Sequence, residues 1–248
     1  MDEETRILSG LSVSIKDKEI MGLLGPNGSG KTTFINVLLG KNDLSSLGEG
    51  SEVLLRSFTG ETLSIKRDYK SFRQHIRFCP QSDIIQEELT VREHIEMTMR
   101  LLGIPLTIEN INKKAEAVDL SKQIECLAKK LSPGGKRKLS ICQALIGNPK
   151  LLILDEPTAN LDLLSREDIW GVITRLFNNN SHKLSILVST QHIEEAEHLS
   201  DRILIINQGK DIACDTPAKI KDTKGLAMRI VCQQNPQKVK YDSDGKSE

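Results

Sequence analysis

Four short apolar segments recur along the chain, and a turn or a helical pattern follows each one. Their hydrophobic residues are continuous, which is typical of parallel strands buried on both faces, and helical spacing of apolar residues lies between them. The predicted strands are Glu19–Gly25, Leu151–Leu154, Leu184–Ser189 and Arg202–Ile206, and the predicted helices are Lys31–Gly40, Asp162–Phe177 and Glu194–Leu199. This alternation predicts an α/β fold with a mainly parallel sheet covered by helices on both faces.

Two stretches outside this alternation predict smaller units. Ile7–Ile15 and the region around Glu52–Ile65 have a period of two and many small polar residues, which favours a few antiparallel strands. Residues 84–145 carry helical patterns, including one that opens with a capping box of Thr90 and Glu93. We therefore predict an N-terminal antiparallel β subdomain and a helical subdomain at about 84–145, both attached to the main sheet.

The chain length of 248 residues suits one or two domains. We predict one domain over residues 1–222 and a C-terminal extension over 223–248, whose polar end is predicted to be disordered. The sequence has no apolar segment long enough to cross a bilayer, and its acidic first residues do not resemble a signal peptide. We expect neither a membrane span nor a secretory signal in this chain.

Composition narrows the function. The 34 basic and 34 acidic residues give a net charge of zero, so the sequence does not favour a nucleic-acid partner or a polybasic membrane surface. Aromatic residues make up only 3% of the chain, which disfavours base stacking as a main activity. The five cysteines form no Cys-x-x-Cys pair, and we interpret them as reduced thiols of a cytosolic compartment.

The strongest local signal lies between the first strand and the first helix. Residues 25–32 match G-x-x-x-x-G-K-[ST], in which glycines let backbone N–H groups converge on a phosphate. The helix start near Lys31 adds its positive end, and the Lys31 amine and Thr32 hydroxyl suit phosphate and Mg²⁺. The pattern predicts a nucleotide site rather than an ordinary glycine-rich turn. The predicted binding residues are Gly25, Pro26, Asn27, Gly28, Ser29, Gly30, Lys31, Thr32 and Thr33.

A second signal is the acidic pair that follows the apolar run at 151–154. Asp155 and Glu156 end a strand at the carboxyl edge, where α/β sheets bind ligands. Asp155 suits Mg²⁺ through water, while Glu156 suits the water that attacks a γ-phosphate. The pair alone is also compatible with a solvated strand end. Together with residues 25–32 it indicates a nucleotide-hydrolysing site.

Taken together, these segments resemble the nucleotide-binding domain of ABC transporters over roughly residues 5–222. The matching segments are the glycine-rich residues 25–32, LSPGGKRKLS at 131–140, LLILDEP at 151–157 and the region of His192. The resemblance implies a P-loop NTPase (RecA-like) core with an antiparallel β subdomain and a helical subdomain. It also implies binding of ATP with Mg²⁺, and ATP hydrolysis.

Several longer sequence segments resemble those of the ABC-A group of lipid exporters. The segments concerned are CPQSDII and LTVREHIEMTMRLLGIP within 79–105, DEPTANLDLLSREDIW at 155–170 and STQHIEEAEHLSDRILIINQGKDIACDTP at 189–217. This likeness implies that the domain works at the cytoplasmic face of a membrane, through transmembrane partner domains. There it would power transmembrane export, most specifically of lipids.

The resemblance also implies roles for single residues. Gln81 resembles a glutamine that contacts Mg²⁺ and water where the transmembrane domain is sensed, and His192 resembles a histidine that contacts the γ-phosphate. Asp162 resembles an aspartate that communicates between two sites. Each residue also has a simpler interpretation. Gln81 is then an ordinary loop residue, His192 is a structural histidine and Asp162 caps the next helix. The predicted catalytic residues are Glu156, His192, Gln81 and Lys31, and the predicted metal ligands are Thr32, Gln81 and Asp155.

Ser132, Gly134 and Gly135 resemble the family's Ser–Gly motif. In the family this motif closes over ATP held by a second domain, identical or different, so that a head-to-tail dimer encloses two nucleotides. This chain has Pro133 where the family usually has a glycine. Proline is tolerated at the first helical position, so Ser132 still suits a cap and Gly134 keeps its N–H. We expect a weakened motif rather than a destroyed one.

Two further departures leave alternatives open. ABC domains commonly stack adenine on an upstream aromatic residue, but the first aromatic residue here is Phe34, and the chain encodes no membrane helices. The alternatives are a soluble ABC-type ATPase that acts on ribosomes or DNA and a nucleotide-gated regulatory module that does not hydrolyse ATP. Neutral charge and the lack of a second domain or long coiled-coil arms disfavour the first. Glu156 and His192 disfavour the second.

Overall fold

A six-stranded sheet lies at the centre of the computed structural model, which describes residues 7–41, 48, 50–179 and 184–222. The strands are β1 (Ile20–Leu24), β2 (Leu54–Arg56), β3 (Thr62–Ser64), β4 (Ile76–Cys79), β5 (Leu151–Asp155), β6 (Ser185–Thr190), β7 (Arg202–Asn207) and β8 (Lys210–Asp215). The order in the main sheet is β4-β5-β6-β1-β7-β8. Its first five strands are parallel and β8 pairs antiparallel with β7, while β2 and β3 form a separate antiparallel pair.

Helices cover both faces of the sheet. They include α1 (Lys31–Leu38), α2 (Tyr69–Gln74), α3 (Val91–Leu101), α4 (Ile108–Ala117), α5 (Pro133–Leu145), α6 (Leu163–Asn179) and α7 (Ile193–Leu199), and residues 217–222 are helical as well. Residues of α3, α4, α5 and α6 pack into one hydrophobic cluster, and those of α1, α2 and β3 pack into another. The predicted α/β fold is therefore confirmed.

The central strands are apolar on both faces because each face contributes to a different core. In β5, Leu152 and Leu154 belong to the cluster under α5 and α6, whereas Ile153 belongs to the cluster under α1. In β6, Val188 likewise belongs to the cluster under α5 and α6, and Leu187 belongs to the cluster under α1. Alternate side chains of a strand point to opposite faces, so continuous hydrophobicity is what a sheet buried on both sides requires.

The helices α3, α4 and α5 fall within residues 84–145, and none of these residues lies in a strand. The predicted capping box is present at the start of α3. There the Glu93 N–H donates to Thr90 Oγ1 at 3.2 Å, and the Thr90 N–H donates to the Glu93 carboxylate at 2.7 Å. The domain limits at 222 and about 84–145 remain predictions, and residues 223–248 lie outside the described part of the chain.

The strand prediction for Ile7–Ile15 is wrong, because none of these residues lies in a strand. Alternate residues there, including Leu11 and Val13, pack against the cluster under α1, but the segment forms no strand ladder. The period of two therefore reflects packing rather than sheet pairing. By contrast, Glu52–Ile65 does contain an antiparallel pair, formed by β2 and β3.

Candidate functional site

The candidate site lies at the carboxyl edge of four adjacent strands, β4, β5, β6 and β1. Their parallel register pairs Asp155 with Ser189 and Leu24 with Thr190, so the strands end nearly level. The loops that follow them carry Gln81, Glu156, His192 and residues 25–32. Segments that are far apart in the sequence are thereby placed at one sheet edge, where open α/β sheets bind ligands.

The loop at 25–32 has the backbone that its glycines predict. Gly28 and Gly30 have φ angles of 77° and 107°, which side chains disfavour. A Cβ at Gly25 would lie 2.4 Å from the Ile206 main-chain oxygen and 2.5 Å from Ser29 Oγ. The loop is therefore packed closely at its base. Asn27, Gly28 and Thr32 are exposed, and Pro26 and Thr33 are half-buried.

The Lys31 side chain folds back over this loop. Its Nζ donates to the Gly25 main-chain oxygen at 2.7 Å and to that of Pro26 at 3.4 Å. The same atom lies 3.4 Å from Glu156 Oε1, and both side chains are more than nine-tenths buried. A buried ammonium group is thus held between the glycine-rich loop and the acidic pair.

The Glu156 backbone and side chain are both unusual. Its φ of 44° is in the left-handed region, and its N–H donates to the Ser189 main-chain oxygen at 3.0 Å. Burial raises the pKa of its carboxyl, while the nearby Lys31 charge offsets part of that rise. Glu156 Oε2 is buried and has no hydrogen-bond partner among the residues that the structure describes. Such an atom is suited to a ligand or water.

Three oxygen-bearing side chains fit a Mg²⁺ ion by their chemistry. The half-buried Asp155 carboxylate accepts a hydrogen bond from Ser189 Oγ, and the Thr32 hydroxyl is exposed at the start of α1. Gln81 is exposed just beyond β4. Hard oxygen ligands of this kind are those that Mg²⁺ prefers. Ser29 Oγ, buried and without a partner among the described residues, adds a further polar atom within the loop.

His192 and Asp162 occupy the starts of helices. The half-buried His192 precedes α7, and its backbone N–H donates to Thr190 Oγ1 at 3.0 Å. Asp162 precedes α6 and accepts from the Ser165 N–H at 3.0 Å, so the alternative of a helix cap is confirmed for this residue. The roles of both residues toward nucleotide remain predictions.

The Ser–Gly motif forms the start of α5. Ser132 Oγ accepts from the Gly135 N–H at 3.1 Å, and Pro133 is the first residue of the helix. The predicted cap is therefore confirmed despite the proline. Ser132 and Pro133 are exposed, whereas Gly134 and Gly135 are buried.

Two buried charged residues belong to the site although the sequence patterns assigned them no role. Arg137 bonds to the loops that follow β4 and β5, including the Asp155 main-chain oxygen at 3.0 Å. Glu195 is 1% exposed and accepts from Thr158 Oγ1 at 2.7 Å and from Trp170 Nε1 at 3.1 Å. Arg137 stands between Lys136 and Lys138, and Glu195 stands between Glu194 and Ala196, so no local pattern marked either residue as buried.

A parallel sheet, a phosphate-binding loop between β1 and α1, and an acidic pair ending β5 define the class of P-loop nucleotide-binding domains. The family model described as "ABC transporter" matches residues 8–159. The chain belongs to the ABC transporter family, and this domain is of the P-loop ATPase type. The predicted family is thereby confirmed.

Proteins with similar sequences include several that are named as A-family members. The chain is 37% identical over 244 residues to "ABC transporter A family member 7" of Dictyostelium discoideum, covering 96% of this chain and 27% of that protein. It is 34% identical over 230 residues to "Cholesterol transporter ABCA5" of Mus musculus, covering 92% and 13% respectively. The chain therefore spans about a quarter or less of the length of these relatives.

A solved structure, that of cbiO1 from Clostridium perfringens, has the same fold. It is described as part of the ABC transporter complex cbiONQ, and the TM-score is 0.71 at 22% identity over 90% of this chain and 87% of that one. The predicted fold class is confirmed. Among the residues that the structure describes, no helix has the length and apolar character needed to cross a bilayer.

Proposed function

We propose that this domain binds ATP with Mg²⁺ and hydrolyses it to drive transport by a longer protein assembly. The observation that carries the proposal is the buried contact of 3.4 Å between Lys31 Nζ and Glu156 Oε1. It joins the phosphate-binding loop to the acidic pair within one site. Groups for binding a triphosphate and for activating water are therefore neighbours.

The phosphate groups of ATP bind to residues 25–32. Backbone N–H groups of the loop and the positive end of α1 favour the anion, and Lys31 bridges the β- and γ-phosphates. Thr32, Asp155 and Gln81 hold Mg²⁺, which neutralises negative charge on the phosphates. Lys31 then exchanges its contacts with the Gly25 and Pro26 oxygens for contacts with phosphate.

Glu156 orients the attacking water and accepts its proton. A raised pKa makes this carboxylate a stronger base, and Oε2 is the oxygen without a protein partner in the described residues. His192 donates a hydrogen bond to the γ-phosphate, which stabilises charge as the bond to the leaving phosphate breaks. Water attacks in line, so positioning contributes much of the catalysis.

Two substitutions test the proposal. Glu156→Gln should retain binding of a fluorescent ATP analogue and lower phosphate release by roughly 10²- to 10⁴-fold, the range for loss of a general base. Lys31→Ala should weaken analogue binding by about 10- to 100-fold, because a hydrogen bond to a charged group is lost. Saturable binding that Lys31→Ala leaves unchanged, or near-normal turnover in Glu156→Gln, would refute the proposed site.

We also propose the partners of the domain. Ser132, Gly134 and Gly135 of one domain cover the ATP held by a second ABC domain, in a head-to-tail dimer. The exposed position of Ser132 at the start of α5 supports this arrangement. Transmembrane domains at the cytoplasmic face of a membrane are the further partners. Balanced charge gives no support to a nucleic-acid partner.

The transported class that we propose is lipid. The support comes from the names of relatives, which are A-family members and include one described as a cholesterol transporter. The sequence also allows a nucleotide-gated module that does not hydrolyse ATP. The observation that favours this alternative is Pro133, which departs from the usual Ser–Gly motif. Measuring phosphate release with and without a membrane partner distinguishes these two functions. A module that does not hydrolyse ATP releases no phosphate under either condition.

A further inference from the structure

Arg137 is a buried charged residue at the centre of a hydrogen-bond network. It lies on α5, five residues after the helix-capping Ser132, and is only 4% exposed. Its guanidinium donates to four main-chain oxygens, those of Pro80 (2.6 Å), Gln81 (3.4 Å), Asp155 (3.0 Å) and Pro157 (2.8 Å). Two of these follow β4 and two are at or after the end of β5.

The guanidinium also has a charged partner. Arg137 Nη1 lies 3.2 Å from Asp83 Oδ1, in the same loop as Gln81. This set of acceptors requires a planar group with several N–H donors pointing in different directions. A lysine ammonium has a single nitrogen, so it cannot reach both loops in this way. The position is therefore specific for arginine rather than for positive charge.

The direct pairing of β4 with β5 stops before Gln81 and Asp155. The last residue pair between β4 and β5 is Cys79 with Leu154. Beyond that pair, the chain segments carrying Gln81 and Asp155 have no shared strand ladder. The Arg137 side chain joins them where the ladder ends, with N–H donors on both sides.

We propose that Arg137 is a positioning residue that sets the distance between Gln81 and Asp155, two Mg²⁺ ligands of the proposed function on which this inference rests. Because Arg137 belongs to α5, a displacement of that helix against the sheet changes the geometry of the metal ligands in the same chain. The Ser–Gly motif begins this helix. Contact of the motif with a second domain is thereby linked to metal binding in the first.

Arg137→Lys tests the proposal, because it keeps the charge and most of the aliphatic stem but removes the fork of donors. Apparent Mg²⁺ affinity is measured with the 248-residue chain and a fluorescent ATP analogue, and analogue affinity is measured separately in EDTA. We expect Mg²⁺ affinity to fall by about 10- to 100-fold, as for other residues that orient metal ligands. The affinity for the ATP analogue in EDTA should not change, because the substitution leaves the loop at 25–32 unaltered.

Lys136→Met is the matched control. Lys136 is the neighbouring basic residue on α5, and its Nζ pairs with Glu87 Oε1 at 3.1 Å in the segment that follows β4. It therefore also joins α5 to that segment, but it contacts neither Gln81 nor Asp155. We expect the Lys136→Met variant to bind Mg²⁺ as tightly as the unaltered chain, and to bind the ATP analogue in EDTA equally tightly.

The outcomes separate this inference from the proposed function. Mg²⁺ affinity unchanged in Arg137→Lys, or lowered equally in Lys136→Met, would overturn the positioning role while leaving ATP binding intact. Absence of Mg²⁺-dependent analogue binding in the unaltered chain would overturn the proposed function and this inference with it. If Arg137→Lys does not fold, Arg137→Gln replaces it, since its shorter amide side chain cannot donate to the oxygens of both Pro80 and Asp155. Weakened Mg²⁺ affinity then supports the role and unchanged affinity overturns it.

Discussion

Single residues at the carboxyl edge of the sheet combine tight packing with buried charge. The Gly25 Cα lies against the backbone of β7, and Lys31 and Glu156 are buried at 3.4 Å from each other. Residues of this kind have little freedom to change, because neither a backbone oxygen nor a buried charge can move aside easily. Substitutions at these residues should change the free energy of unfolding more than substitutions at nearby positions where the packing leaves space.

Gly25→Ala should destabilise the fold by about 1–3 kcal/mol, because the added Cβ would overlap the Ile206 main-chain oxygen at 2.4 Å. Urea unfolding measures the change. Gly171→Ala is the control, since a Cβ there meets only Arg175 Nη1 at 3.8 Å and the residue lies within α6. A helical glycine-to-alanine change should stabilise by about 0.5–1 kcal/mol. Equal stability of Gly25→Ala and the unaltered chain would contradict the packing.

The stability of the chain should depend on the ionisation of Glu156. Its folded-state pKa is raised by burial, so the ionised carboxylate costs free energy in the fold at neutral pH. Glu156→Gln should therefore unfold at a higher temperature than the unaltered chain at pH 7. The difference should shrink as the pH falls through the raised pKa, and should vanish below the ordinary pKa of glutamate. A constant difference across this pH range would contradict the assignment.

The sequence predicted those site residues whose signal is local. The glycine-rich loop and the acidic pair each lie within one short segment, and the apolar strand before each one gives its context. Arg137 was not predicted, because its acceptors lie 18 and 57 residues away, at Asp155 and Pro80. Only folding brings a charged residue of one helix to the ends of two distant strands.

Among the secondary-structure elements, α6 and α7 are joined by a buried polar contact. The Trp170 indole N–H of α6 donates to Glu195 Oε1 of α7 at 3.1 Å, and the same oxygen accepts from Thr158 after β5. The indole ring also stacks on His198 at 4.8 Å between ring centroids. One carboxylate therefore holds two helices and a loop of the candidate site together.

Glu195→Ala should lower the free energy of unfolding by about 1–3 kcal/mol for each buried donor left without an acceptor. It should also change the emission of Trp170, which is the single tryptophan of the chain. Glu195→Gln serves as the control, because its amide oxygen still accepts from Trp170 and Thr158. Identical emission and stability in the two variants would show that the acceptor oxygen is unimportant.

The strands divide by how completely they are buried. The central strands were predictable because both of their faces contribute apolar residues to a core. The edge strands β4 and β8 were not predicted, since Arg77 interrupts one and the other is polar, with half of its residues exposed. Edge strands need only one neighbour, so their sequences carry a weaker pattern.

At the scale of the whole molecule, the proposed dimer depends on the exposed start of α5. Pro133→Gly should restore a backbone N–H beside Ser132, and one hydrogen bond to a charged phosphate corresponds to roughly a tenfold gain in affinity. We expect stronger ATP-driven dimerisation of the assembled protein that contains this domain, measured by sedimentation. Ser132→Ala is the opposite control and should weaken dimerisation. Unchanged dimerisation in Pro133→Gly would show that the proline does not weaken the motif.

The division of β5 between two cores has an evolutionary consequence. Removing one codon within Leu151–Asp155 would move every residue on one side of the deletion to the opposite face of the sheet, and so into the other core. Asp155 would then face the other side of the sheet and Glu156, which follows it, would be displaced with it, even though the composition of the strand had hardly changed. Natural variants of this gene should accept substitutions in that segment far more often than changes in its length.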